Sequence, residues 1–145
     1  MLRTLIIDDE AHIRDTLSRM LESFCPQVSV AGEASGVADG ISAIKELHPD
    51  LILLDINMKD GTGFDLLNAF SAIDFKVIFI SAFDKNTIQA FKLSGLEYLM
   101  KPVNPEEITA AINRVMNIES KYFELQLEAL ELNLRREKSP EKFCP

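Results

Sequence analysis

"HPDLILLDINMKDG", residues 48–61, sets four consecutive aliphatic side chains, Leu51 to Leu54, against a carboxylate, Asp55. A run this short, rich in Leu and Ile and without strict alternation, is what a strand buried on both faces requires. The same shape recurs three times: "TLII" runs into Asp8, "VIFI" into Ser81 and "YLM" into Lys101. "VSVAGEAS", residues 28–35, reads as a weaker fifth strand suited to a sheet edge.

Helical patterns separate the strands. "AHIRDTLSRMLESF" puts Ile13, Leu17, Met20, Leu21 and Phe24 on one face. "GVADGISAIKELH" does the same with Val37, Ile41, Ile44 and Leu47, and Pro49 ends it. "GFDLLNAF" is short and follows a Gly-rich turn, and "NTIQAFKLSG" ends at Gly95, a suitable residue for the position after a helix. "NPEEITAAINRVMN" opens with Asn104 as N-cap, Pro105 at the first helical position and acids in the first turn. Five alternations of strand and helix predict an α/β fold, with one parallel sheet and helices on both faces.

In such sheets ligands bind beyond the carboxyl ends of the strands. Asp8 and Asp9, Asp55, Ser81 and Lys101 all fall there, from four different strands. Three converging carboxylates repel one another and call for a cation. An all-oxygen set of this kind suits Mg²⁺, which keeps waters and takes a phosphate oxygen readily. One Lys and one hydroxyl complete the requirements of a phosphoryl group: a point charge and a hydrogen bond. A carboxylate can itself be the nucleophile that forms an acyl phosphate. Asp55, at the centre of the set, is the candidate acceptor.

These residues resemble a response-regulator receiver domain, the CheY-like module of two-component signalling. The resemblance is carried by "IIDDE" (6–10), "LILLDINM" (51–58), "IFISA" (78–82) and "EYLMKP" (97–102), and covers about residues 2–117. It implies a doubly wound (βα)5 sheet in the flavodoxin-like order 2-1-3-4-5. It implies Asp55 as phosphoacceptor, with Mg²⁺ held by Asp9 directly, by Asp8 mostly through water, by Asp55 and by the backbone carbonyl of Asn57. Ser81 becomes the switch hydroxyl, Lys101 the phosphate-pairing cation and Tyr98 the switching aromatic. Ala82 is small enough to leave room for the phosphoryl group. The implied partner is a sensor histidine kinase, whose phosphohistidine supplies the group. The face that responds is the fourth helix, the fifth strand of the sheet and the fifth helix, through which such domains commonly dimerise.

"AFKLSGLEYLMKPV" is similar to receivers of the LytR/AlgR group, whose output is a LytTR DNA-binding domain. No such domain is read in this chain, so DNA would be reached only through an output domain outside it. Two departures from the family pattern stand out. Lys59 occupies a position that is often Pro, which predicts altered loop rigidity, with Gly63 still where a Gly is expected. Phe83 is bulky at a position that influences hydrolysis of the acyl phosphate.

Residues 1–117 are therefore expected to form the receiver domain, and 118–145 a C-terminal helical extension or a linker toward an output domain. From Glu106 to Ser139 no Gly or Pro interrupts a sequence dominated by good helix formers. Phe123, Leu127, Leu130 and Leu134 form a heptad seam. The expectation is that the fifth helix continues well past the domain and pairs with a second chain. The alternative is that the segment folds back on the domain.

Each residue also has a plain structural reading. Asp8 and Asp9 could be a solvated turn or a helix cap, Asp55 a strand-end residue, Ser81 structural, and Tyr98 core filling. His12 reads as a helix-surface residue and His48 as a residue at a helix end. Gly61 and Gly63 are turn glycines. Joint placement at one edge is what separates the functional reading from the plain ones. Two further functions compete. A Mg²⁺-dependent phosphohydrolase with an Asp nucleophile needs a second Asp two positions on, where Asn57 stands. A flavodoxin-like cofactor binder needs a phosphate loop after the first strand, where this chain has two acids.

The net charge of −8 over 145 residues argues against non-specific binding to nucleic acid or anionic membrane. Cys25 and Cys144 make neither a disulfide framework nor a metal spacing. "MLRTLIIDDE" does not read as a signal peptide, and no apolar run approaches the ~20 residues that span a bilayer. The expected location is the cytoplasm.

Overall fold

The structure is a computed structural model, which describes residues 1–82, 85–94, 96–117 and 123–138. Phe83, Gly95 and Cys144, singled out above, lie outside the described residues. In chain order the elements are β1 (Leu2–Ile7), α1 (Ala11–Phe24), β2 (Val28–Ala34), α2 (Val37–Leu47) and β3 (Leu51–Asp55). A short hairpin follows, β4 (Asn57–Met58) and β5 (Gly61–Thr62), then α3 (Gly63–Asn68), β6 (Lys76–Ser81) and α4 (Lys85–Ser94). β7 (Tyr98–Met100), α5 (Pro105–Met116) and α6 (Phe123–Lys138) complete the described chain.

The main sheet has five strands in the order β2-β1-β3-β6-β7, all parallel. Counted among themselves, these strands run 2-1-3-4-5, as the family resemblance implies. β2 lies at an edge, in keeping with its weaker apolar run. Period-two alternation deals the strand residues to two cores. Leu5, Ile7, Ile52, Leu54, Val77 and Phe79 enter one, together with residues of α2, α3 and α4. Ile6, Leu51, Leu53, Ile78 and Ile80 enter the other, against Leu17 and Leu21 of α1 and Ile108, Ala111, Ile112 and Val115 of α5. All five residues of β3 are buried, which explains a strand without a polar face.

Local chemistry fixes the helix starts nearest the sheet's carboxyl edge. Thr62 and Asp65 form a reciprocal capping box at α3. At α5, Pro105 occupies the first turn and the Asn104 side chain accepts the Glu107 N–H at 2.8 Å. The Lys101–Pro102 bond is cis.

The C-terminal helix is present, but its course differs from the expected continuation of the fifth helix. α5 ends at Met116, where the Asn117 N–H bonds back to the Arg114 carbonyl at 3.1 Å. α6 then lies across the opposite face of the sheet from α5, because its Leu127 and Leu130 belong to the core shared by α2, α3 and α4. Leu130 is fully buried, and Phe123 and Leu134 pack against the same cluster. Polar contacts accompany this docking. The Ile73 N–H donates to Glu124 at 3.4 Å, and the Asn133 amide donates to Ser94 Oγ at 3.4 Å. The heptad seam is thus satisfied within the chain. Hydrophobic burial is non-directional, so the same stripe fits a second chain or the flank of its own domain equally well. Among the described residues, no helix is long and apolar enough to cross a membrane.

Candidate functional site

β1 and β3 are adjacent, while β2 and β6 lie on their outer sides. The chain therefore changes direction between β1 and β3, and a crevice opens beyond their carboxyl ends. Asp8 directly follows β1 and Asp55 is the last residue of β3. Ser81 is the last residue of β6, and Lys101 directly follows β7. The Lys101 N–H bonds to the Ser81 carbonyl at 3.0 Å, which aligns those two strand ends.

Carboxylate oxygens of Asp8, Asp9 and Asp55 all lie within 4.8 Å of one another. Asp8 and Asp55 are buried and Asp9 is half-buried. The Lys101 ammonium stands between the two buried acids, 2.9 Å from Asp8 Oδ2 and 3.3 Å from Asp55 Oδ2. It donates a hydrogen bond to the latter. Asp8 Oδ1 accepts the Glu10 N–H at 2.9 Å. Asp8 Oδ2 is fully enclosed and has the ammonium at ion-pair distance, yet it receives no hydrogen bond of adequate geometry.

Burial, and then the negative charge of Asp8, push the Asp55 carboxyl above its ordinary range. The charge and hydrogen bond of Lys101 and the backbone N–H of Asn57 only partly offset them. For Lys101 burial acts first and favours the neutral amine. The close ion pair with Asp8 and the charge of Asp55 outweigh it, so its pKa is raised and the amine stays charged. One cation thus faces three acids, and the described residues supply no second side-chain cation to the carboxylates. An enclosed carboxylate oxygen without a hydrogen bond, in an all-oxygen donor set with excess negative charge, fits a hard divalent cation.

The remaining expected residues flank this cluster. Asn57 opens the β4–β5 hairpin two residues after Asp55, with its side chain exposed. Ser81 is buried at the end of β6, and Ala82 beside it is exposed. Gly63 begins α3 so near the end of β3 that a Cβ there would lie 2.8 Å from the Asp55 carbonyl oxygen. Close packing against Asp55 accounts for that glycine. Tyr98 stands apart from the carboxylates, half-buried on β7, with its ring 5.3 Å from that of Phe91. Phe91 is in turn 5.3 Å from Phe79, and Phe79 is 5.6 Å from Phe64. A continuous line of aromatic rings therefore joins α3, β6, α4 and Tyr98. Tyr98 also lines a groove of about 660 Å³ between α4 and α5.

Two residues near the site are not evident from the sequence. Arg14 of α1 donates to the backbone carbonyl of Asp8 at 2.7 Å while its Nε pairs with Glu33 at 3.1 Å. Asp60, in the turn of the hairpin, accepts the backbone N–H groups of Val37 and Ala38 at 2.8 and 3.1 Å. These two bonds hold its carboxyl below the ordinary range. A faint signal for Asp60 exists in the sequence. α2 opens on Gly36, which has no side chain with which to cap its own helix.

Comparison with known proteins agrees with this geometry. The family model described as "Response regulator receiver domain" matches residues 4–113. The chain is 38% identical over 119 residues to an uncharacterized response regulatory protein of Vibrio parahaemolyticus, covering 81% of this chain and 49% of that one. It is 33% identical to the sensory transduction protein LytT of Bacillus cereus, over 79% of this chain and 47% of the relative. The chain thus spans about half the length of the curated relatives it matches. Among solved structures, the signal receiver domain of the putative response regulator NarL from Mycobacterium tuberculosis superposes with a TM-score of 0.67 at 28% identity. That match covers 81% of this chain and 98% of the other.

Proposed function

The chain belongs to the response regulator receiver domain family of two-component systems, and from that premise we propose that Asp55 accepts a phosphoryl group from a sensor kinase phosphohistidine. The observation that carries this reading is the three-carboxylate crevice with its single ammonium and its enclosed, under-bonded Asp8 oxygen. The ionised Asp55 carboxylate attacks phosphorus; a carboxyl O–P bond forms, the N–P bond breaks, and its electron pair returns to the imidazole. Lys101 holds charge beside the incoming phosphoryl oxygens, and its bond to Asp55 orients the carboxylate. Ala82 leaves space at the mouth of the crevice. The Ser81 hydroxyl donates to a phosphoryl oxygen once the group is in place.

Asp8, Asp9, Asp55 and the backbone carbonyl of Asn57 would hold Mg²⁺. When bound, the ion supplies the positive charge that three carboxylates and a phosphoryl group require. Asn57 in place of a second acid two residues after Asp55 favours a signalling acceptor over a phosphohydrolase.

Residues 1–117 act as the phosphoacceptor unit and 118–145 as an appended extension. Movement of Ser81 toward the phosphoryl group draws on the aromatic line through Phe79 and Phe91 and repositions Tyr98. That biases an existing two-state equilibrium of the α4, β7 and α5 face. Through this face the protein self-associates or addresses an output, consistent with its likeness to LytT and to the transcriptional regulatory protein BtsR of Escherichia coli. Any effect on DNA would run through an output domain.

The test is incubation with a small acyl phosphate and Mg²⁺, followed by intact-mass measurement and peptide mapping. One phosphoryl group on Asp55, lost in Asp55→Asn, is expected. A stable phosphoester on Ser81, or undiminished labelling of Asp55→Asn, overturns the reading.

A further inference from the structure

The loop that follows Asp55 is tied to a distant helix by one side chain. β4 and β5 pair Asn57 with Thr62 and Met58 with Gly61, and Asp60 sits in the turn between them. Its carboxylate reaches 22 and 23 residues back to the first two N–H groups of α2, from Val37 and Ala38. Those donors lack intrahelical partners by the nature of a helix start, and the helix carries partial positive charge there. An N-cap residue normally serves one of them with its own side chain, but here the N-cap is Gly36. The glycine is matched to the tether, because a Cβ at 36 would lie 2.6 Å from Asp60 Oδ1. The three heavy atoms nearest to that Cβ all belong to the Asp60 side chain. Gly36 and Asp60 therefore form one device, in which the helix gives up a local cap to receive a remote one.

The remote cap does something a local cap cannot: it holds the hairpin. On the reading that Asp55 is the acceptor, the hairpin carries the Asn57 carbonyl toward the metal position and starts immediately beyond Asp55. Lys59 gives the turn no ring constraint of the kind that proline imposes. We propose that Asp60 is a positioning residue for phosphoryl transfer, which fixes the hairpin against α2 so that the Asn57 carbonyl and the Asp55 carboxylate keep their mutual geometry. Groups one shell removed from a metal commonly alter affinity or rate by about 10- to 100-fold.

Stability and positioning can be separated in the full chain with three variants. Asp60→Ala removes both the cap and the tether. Adding Gly36→Ser to it returns a local cap, since the atoms nearest to a Cβ at 36 are then gone, but leaves the hairpin untethered. Asp60→Asn keeps one acceptor oxygen in place. Thermal melting, calorimetric Mg²⁺ affinity and the rate of labelling by a small acyl phosphate are measured for each. The expected result is that Asp60→Ala melts lower, binds Mg²⁺ more weakly and is labelled about tenfold more slowly. The double variant regains melting temperature and stays slow, and Asp60→Asn falls between parent and Asp60→Ala in rate. If Asp60→Ala is labelled at the parent rate, or if the double variant regains rate along with melting temperature, Asp60 acts only on α2 and the proposal is wrong. Failure of the acceptor reading looks different: the parent itself is then not labelled.

Discussion

The carboxyl edge of the sheet and the seat of α6 are both buried, and they treat stability in opposite ways. At the edge, Asp8 and Asp55 are enclosed side by side with one ammonium between them. Burial and repulsion raise the Asp55 pKa, so ionised Asp55 makes the metal-free fold less stable. At the α6 seat, Leu127 and Leu130 enter a shared apolar core, and the polar groups that come with them find partners. One region holds three carboxylates against a single ammonium among the described residues; the other closes on itself. A buried position is thus functional or structural according to whether its polar groups are satisfied within the chain.

Asp55→Asn probes that contrast most sharply. Labelling by an acyl phosphate should disappear, yet the metal-free protein should melt higher at neutral pH. The sign follows from linkage. The folded state holds the Asp55 proton more tightly than the unfolded chain, whose value is near 3.8. Ionised Asp55 therefore carries no penalty below that pH; the penalty grows as pH rises through the raised folded pKa and is complete above it. Parent and variant should converge in acid and separate toward neutrality. A variant that melts lower at pH 7 would break the comparison.

Leu130→Ala should cost about 2–5 kcal/mol, as a fully buried Leu truncated in a packed core does. Labelling of Asp55 should survive in the remaining folded protein. Leu132, 54% exposed on the same helix, should tolerate Ala within about 0.5 kcal/mol. Equal small effects at both positions in denaturant melts would mean that α6 does not dock as described.

Mg²⁺ should stabilise the parent by about 1–3 kcal/mol at concentrations of 10–100 times its dissociation constant. The gain should shrink near pH 4, where protons compete for the carboxylates, and should vanish in Asp9→Ala. Coincident melts with and without millimolar Mg²⁺ at neutral pH would remove the cation from the comparison.

The smallest effect belongs to Asp60, which titrates the other way from Asp55. Its carboxyl lies below the ordinary range because it accepts the Val37 and Ala38 N–H groups. Its contribution is present above the unfolded value of 3.8 and is lost as pH falls through the folded pKa. Asp60→Asn should therefore melt slightly below the parent at pH 7 and level with it in strong acid. A constant difference across pH would show that the carboxylate charge is not involved.

The edge was readable because its logic is local. In a parallel sheet every strand points the same way, so a polar residue after an apolar run must land on one edge. Asp8, Asp55, Ser81 and Lys101 each announce themselves by that rule, without knowledge of their neighbours. The five strands, their alternation with helices and the edge position of β2 followed from period and run length. The Phe123, Leu127, Leu130 and Leu134 stripe was equally visible, and it stated correctly that one face of α6 is covered. What covers it was settled only when α4 and the loop before β6 stood together on the face opposite α5. Asp60 is the same case in polar form, a carboxylate that meets its donors 22 and 23 residues away. Apolar burial has no direction, and an orphan N–H donates to any acceptor oxygen that reaches it. The chain therefore states what must be satisfied, and the packed arrangement alone decides by which partner.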